Sequence, residues 1–378
     1  MIPIEYRLDD IAEKEYIERV LECIKTPKLY NLKLIEFLDK IAIEKPEIKR
    51  SIMDQATRFS AQTLELDVLY AWIVMPYKDM EAIKKYIEKK IQDDLARINL
   101  SARNYYRQFT PLKSFHGLIE RRRRYDYPKY PDVKAEIDKN TWYEQIYNNL
   151  KKFEEFYDDF SHVKINNWIV QKVGMKVCPY CNIAYTYSRG NSVTAQLDHF
   201  FPKSEYPMFA LSFYNLIPSC SACNRIKHDD LMAYASPYED GAFHNLRISW
   251  EYEGQAGDER YDEKESLEEL EKKIKIKIMT PKLSEQNNIS GMNILEAYQQ
   301  HRDYAGEVIK KVKTYANPDA QKMIASICES EGLSSEEIMR FYFGNYINEN
   351  ELKKRPLSKM TKDFFEEYKK ITRLPDNG

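Results

Sequence analysis

Four cysteines in two Cys-x-x-Cys pairs, Cys178/Cys181 and Cys220/Cys223, are the residues whose type and spacing most directly specify chemistry. In a reducing compartment such pairs bind metal rather than form disulfides. Folded back on one another, they make a tetrahedral four-sulfur zinc site. Four thiolates leave no open coordination position, so the zinc is expected to be structural. With residues 182–219 between the pairs, something folded must lie between the two knuckles. Two unrelated pairs of free thiols are the plainer alternative, and two correctly spaced pairs so close in sequence argue against it.

Between the pairs stands Asp198-His199, and Asn224 follows the last cysteine directly. Hydrolysis of a phosphodiester needs a divalent metal on the scissile phosphate, a base for water and a cation at the leaving oxygen. Adjacent residues at a strand end point to opposite sides. Asp198 is then placed to bind a hard metal while His199 faces the water. Magnesium prefers oxygen ligands, and Asn224, in the first turn of a helix beside Cys223, offers an amide oxygen. Lys203 and Lys227 are candidates for phosphate contact. Lys227 lies three residues after Asn224 and shares its helix face, although a solvated lysine is an equal alternative. His228 is a rival metal or phosphate group that no spacing demands. His116, His162, His244 and His301 have no comparable setting.

The order Cys-x-x-Cys, Asp-His, Asn, Cys-x-x-Cys-Asn resembles the zinc-stapled branch of the HNH (ββα-metal, His-Me finger) endonucleases, the endonuclease VII-like type. The resemblance covers roughly Cys178 to Asp229. It implies that His199 is the general base and that Asn215 braces the loop bearing it. It also implies that Asp198 and Asn224 are the protein ligands of a catalytic Mg²⁺ or Mn²⁺. Asn224 stands where many members have histidine, and it keeps an oxygen ligand available. The substrate implied is DNA, double-stranded, cut to leave a 5′-phosphate and a 3′-hydroxyl. The wider phrase from Leu197 to Ser204, with Tyr206-Pro207 and Asn215 to Cys220, also resembles HNH subunits of bacterial anti-phage systems, Septu-type and retron-associated. In those systems an ATPase or sensor partner restrains or directs the nuclease.

The elements that must position these residues read as mainly α with a small α+β insert. Residues 1–165 form an N-terminal helical region, 166–245 the nuclease insert with its zinc knuckles, and 246–378 a C-terminal strand pair with further helices. Leu32, Ile35, Leu38 and Ile41 recur at helical intervals, as do Ile83, Tyr86, Ile87 and Ile91. Thr141–Phe160 reads as the last N-terminal helix. Tyr185–Ser188 and Ser192–Leu197 are expected to pair through Arg189-Gly190-Asn191. Leu246, Ile248, Trp250 and Tyr252 alternate with period two, as do Ile274, Ile276 and Ile278. Lys273, Lys275 and Lys277 lie on the opposite face of the second strand. Ser334 with Glu337 is a capping-box pattern before a terminal helical stretch.

The formal net charge of -2 argues against a protein that coats DNA, but local basic patches remain available. Arg121, Arg122, Arg123 and Arg124 form one such run, with tyrosines nearby to stack on bases. A salt-bridged helix face or a protein contact is the equal alternative. No apolar run approaches the roughly 18–20 residues that span a bilayer, and the charged N-terminus does not read as a secretory signal. A cytoplasmic protein without membrane contact is therefore expected. Two other classes compete with a nuclease. One is a non-catalytic zinc module that binds nucleic acid or protein. The other is a scaffold whose helical arms hold a partner, as an oligomer or hetero-complex.

Overall fold

The computed structural model describes residues 1–23, 32–61, 63–97, 150, 152–158, 162–230, 232–253 and 265–372. Arg121, Arg122, Arg123 and Arg124 lie outside the described residues, as do residues 141–149 of the helix expected over 141–160.

The first part of the chain is helical: α1 (Asp10–Cys23), α2 (Leu34–Ala42), α3 (Pro46–Ala56), α4 (Leu64–Ile73), α5 (Tyr77–Arg97), α6 (Lys152–Asp158) and α7 (His162–Val173). In α2, Leu34, Phe37, Leu38 and Ile41 fall on one face and are all buried. Pro46 opens α3, where its missing N–H has no helical partner to lose. The Thr63 hydroxyl caps α4 by accepting from Leu66 N. Helix α4 buries Leu66, Val68, Leu69, Ala71, Trp72 and Ile73, so it is enclosed on nearly every side.

Next come β1 (Ser188–Arg189), β2 (Ser192–Val193), β3 (Gln196–His199), β4 (Leu216–Ser219) and α8 (Ser221–Lys227). The hairpin expected from sequence is present but shorter. Its turn is Gly190-Asn191, with Gly190 at φ 65°, a position that favours glycine in two-residue hairpins. At Thr194 a hydroxyl replaces a backbone carbonyl as the acceptor for Tyr187 N, at 2.9 Å. The ladder ends there, and β3 pairs antiparallel with β4 instead, with Asp198 opposite Ile217. Helix α8 follows β4 directly and packs against β3.

The remainder holds β5 (Arg247–Tyr252), α9 (Leu267–Lys273), β6 (Ile274–Met279), α10 (Leu283–Gly291), α11 (Ile294–Gln299), α12 (Arg302–Tyr315), α13 (Pro318–Ser330), α14 (Ser335–Phe343) and α15 (Ser358–Thr372). Strands β5 and β6 pair antiparallel, with Ile248 opposite Ile278 and Trp250 opposite Ile276. Helices α12 and α15 pack on this ribbon, and Lys277 on its other face pairs with Glu251. Capping boxes start α9 at Ser266/Glu269 and α14 at Ser334/Glu337. No described helix is long and apolar enough to cross a membrane.

Buried side chains from all three stretches join one apolar cluster. From the N-terminal side, the Trp72 indole donates to Met208 O (2.7 Å) and the Tyr16 hydroxyl to Leu211 O (3.1 Å). From the C-terminal side, the Tyr298 hydroxyl donates to Cys181 O (2.8 Å), and Leu357 N donates to Asn182 O (2.7 Å). The short strands are thus held from both flanks.

Candidate active site and metal centre

The first knuckle is a tight reversal. Cys178 N donates to Ala184 O (2.9 Å), Asn182 N to Cys178 O (2.8 Å), and Ile183 N to Cys181 Sγ (3.4 Å). Asn182, at φ 55°, makes the left-handed step that the reversal requires. In the second knuckle Cys220 is the N-cap of α8 and Cys223 lies in its first turn. The four sulfurs are buried and lie within 4.8 Å of one another. The Cys181 and Cys220 sulfurs are 4.0 Å apart. Zn–S bonds of about 2.3 Å place the sulfurs of a tetrahedron roughly 3.8 Å apart, so donor set and spacing fit zinc. Burial raises the Cys178 thiol, while hydrogen bonding among the sulfurs raises Cys223 and lowers Cys181 and Cys220.

Strand β3 carries Asp198 on one face and His199 on the other. Asp198 is only 3% exposed. Its Oδ2 accepts from the Tyr180 hydroxyl at 2.6 Å and its Oδ1 from Lys227 Nζ at 3.1 Å. Tyr180 sits inside the first knuckle and Lys227 on the helix that the second knuckle starts, so both knuckles hold this carboxylate. Burial, and then the Asp198 charge, push the Tyr180 hydroxyl well above its ordinary pKa, which keeps it a donor. Lys227 also donates to His199 O (2.9 Å) and lies over the Phe200 ring. It has no exposed surface. The expected phosphate contact by Lys227 is therefore corrected: its ammonium is drawn inward by Asp198 and the His199 carbonyl. A carboxylate has about four lone-pair sites, so these two donors leave room for a cation on Asp198.

Gln196 lies two residues before Asp198, on the same face of β3. Asn224 Nδ2 donates to Gln196 Oε1 at 2.9 Å, so of the Asn224 amide it is the oxygen that could serve a cation. A carboxylate and an amide oxygen together are a donor set suited to a hard divalent cation. His228 ends α8 at φ 41°, exposed and 3.6 Å from Asp229.

On the other face of β3, His199 Nε2 is 3.1 Å from Ala210 O. A carbonyl only accepts, so Nε2 carries the hydrogen and the basic lone pair lies on Nδ1. The imidazole packs edge-on against Tyr157 with ring centroids 4.3 Å apart, and Lys203 Nζ lies 5.1 Å from the same ring. Asn215 is fully buried. Its Oδ1 accepts from Phe201 N (2.7 Å), and its Nδ2 donates to Phe201 O (3.1 Å) and Phe209 O (3.0 Å). It thereby closes the loop that carries Ala210, the partner of His199. Trp72 stacks on Phe209, and Tyr77 on Phe201, from the N-terminal helices.

The structure thus groups the four cysteines, Asp198, Asn224 and Lys227 on one side of β3, and His199 with Lys203 on the other. Three participants escaped the sequence reading. Gln196 had a signal, the period-two spacing from Asp198. Tyr180 had only its place between two ligands. Tyr157 had none, because helix α6 brings it from a distant part of the chain.

Residues 178–230 match the family model of the HNH endonucleases. Comparison of the chain with curated proteins and with solved structures gave no match. The chain therefore carries an HNH endonuclease domain containing a four-cysteine cluster, set in a helix-rich protein. Domains of this family are generally nucleases that act on DNA with divalent metals.

Proposed function

We propose that the protein is an HNH endonuclease of the zinc-stapled ββα-metal type, hydrolysing phosphodiester bonds of double-stranded DNA with Mg²⁺ or Mn²⁺. The observation that carries this reading is the division of labour across β3. His199, oriented by Ala210 O, lies on one face, and Asp198 with the Asn224 oxygen lies on the other. In this reading β3, β4 and α8 are the ββα core. Residues 166–245 are the nuclease domain between the helical region 1–165 and the strand pair with helices of 246–378.

His199 Nδ1 takes a proton from water, and the imidazolium is stabilised by its hydrogen bond to Ala210 O. Asp198 and Asn224 would hold a divalent cation, which would supply Lewis acidity at the phosphate. Lys203, oriented by Tyr157, contacts the phosphate backbone. Asn215 acts through the loop and touches no substrate. Cys178, Cys181, Cys220 and Cys223 would hold a structural zinc, which would fix the positions of Tyr180 and α8.

The phrase around Asp198-His199 supports a place among HNH effectors of bacterial anti-phage defence, cytoplasmic and working with an ATPase or sensor partner in a hetero-complex. A second reading has one observation of its own. Lys227 already neutralises Asp198, which suits a non-catalytic zinc module that binds nucleic acid or protein. Plasmid cleavage by the full chain with Mg²⁺ or Mn²⁺, lost on Asn224→Ala, separates the two. A chain that binds DNA but leaves it intact with either ion, alone and with its copurifying partners, favours the second.

A further inference from the structure

Helix α6 brings one residue of the N-terminal helical region to His199. Phe153, Phe156 and Tyr157 fall on one face of α6 by their i, i+3, i+4 spacing. All three are buried, and α6 packs against the helical turn Pro207–Phe209. Ala210, whose carbonyl meets His199 Nε2, directly follows that turn. Tyr157 lies one turn beyond Phe153. Its ring meets the His199 imidazole with centroids 4.3 Å apart and planes at 73°. Helix α6 lies outside residues 178–230, which carry the family match.

The two contacts on His199 do different things. The hydrogen bond from Nε2 to Ala210 O fixes the place of one ring atom and leaves the ring free to turn about that bond. The direction of the Nδ1 lone pair is set only when a second contact fixes the ring plane. Tyr157 supplies that contact in an edge-to-face geometry, which contributes about 0.5–1.5 kcal/mol beyond area burial. A base must point its lone pair at the proton it takes, so ring orientation enters the rate directly. Packing alone does not require an aromatic ring at this position, because Phe153 and Phe156 already anchor α6. The Tyr157 ring also attracts the Lys203 ammonium, which lies 5.1 Å from its centroid. One ring therefore sets the base and a cation relative to each other.

We propose that Tyr157 is a positioning residue for His199, holding the imidazole plane so that Nδ1 faces the reacting water. The nuclease site is then incomplete without helix α6. The role rests on the nuclease reading and adds a dependence on the N-terminal helical region, since a shift of α6 turns the base. Tyr157 acts through His199 and transfers no proton itself.

The test compares the full chain with Tyr157→Phe, Tyr157→Leu and Phe153→Leu. Histidine rings are labelled with ¹³C, and the His199 signal is identified by its loss in His199→Ala. A neighbouring aromatic ring displaces the resonances of the protons it faces, so this signal reports the contact without any cleavage. Tyr157→Phe keeps the ring and is expected to keep the signal, kcat and KM. Tyr157→Leu should move the His199 signal. It should also lower kcat for plasmid nicking with Mg²⁺ or Mn²⁺ by roughly 10- to 100-fold at little changed KM, since a misplacement of about 1 Å costs on the order of 100-fold. Bound zinc should stay at the wild-type level. Phe153→Leu, on the same helix face, controls for loosened packing: it should lower the melting temperature and leave the His199 signal and kcat near wild type. An unmoved signal or a wild-type kcat in Tyr157→Leu overturns the positioning role. So does an equal loss in Tyr157→Phe or in Phe153→Leu. A wild-type chain that cuts nothing removes the nuclease reading and this role with it, whereas a chain that cuts equally well as Tyr157→Leu removes the role alone.

Discussion

Lys227 Nζ lies 3.1 Å from Asp198 Oδ1, with both side chains buried. The ammonium also reaches the His199 carbonyl, so one lysine fixes both residues of the Asp-His pair. Lys227→Met strands the carboxylate beside Tyr180 alone. Breaking one half of a buried ion pair typically costs about 3–5 kcal/mol. Chemical denaturation should show that loss, and Asp198→Asn/Lys227→Met should recover a substantial part of it. Purely additive effects would mean that the two groups do not interact.

Asn215 closes the loop that holds Ala210 O against His199. Asn215→Ala leaves Phe201 N, Phe201 O and Phe209 O without their partner. Each buried group left unpaired costs about 1–3 kcal/mol. A base displaced by about 1 Å loses on the order of 100-fold in rate. The expected outcome is a lower melting temperature together with a fall in kcat at little changed KM. A rate loss without destabilisation would contradict a purely bracing role.

Zinc removal should act on the site through Tyr180 and α8 rather than through the chemistry. Cys220→Ser is expected to lower bound zinc, measured by mass spectrometry of the metal, and to destabilise the chain strongly, because structural zinc supplies folding energy. Added Mg²⁺ should not restore it. A Cys220→Ser chain of wild-type stability would show that the cluster is not a structural clamp.

Helix α7 is held to α1 through Glu15. The Lys172 ammonium and then the Trp168 indole bring the Glu15 carboxyl down to about 2. A lowered carboxylate stabilises the fold above its ordinary value of 4.5, and that contribution is lost as pH falls toward about 2. Wild type should therefore melt above Glu15→Gln near neutral pH, and the gap should close below the ordinary carboxylate range. A gap that does not change with pH would assign the difference to packing.

Much of the site was legible because its signals are local. The knuckle spacing of Cys178, Cys181, Cys220 and Cys223 needs no tertiary knowledge, and neither does Asn224 beside a cysteine. The period-two runs at Ile248–Tyr252 and Ile274–Ile278 likewise announce the β5–β6 ribbon. Lys227 was misread because helical spacing places a side chain on a face without saying whether that face is wet. Only the β3–α8 contact puts it inside. The β3–β4 pairing was also illegible, since it joins strands separated by the Asn215 loop and depends on the hairpin ending early at Thr194. Tyr157 and Trp72 reach the site solely through helix packing.

In the proposed mechanism His199 activates water for a metal-dependent cut. The most direct test is cleavage of plasmid DNA by the full chain with Mg²⁺ or Mn²⁺, with zinc content measured in parallel. His199→Ala is expected to abolish nicking and linearisation while bound zinc and melting temperature stay at wild-type levels. Cleavage by His199→Ala at the wild-type rate would contradict it.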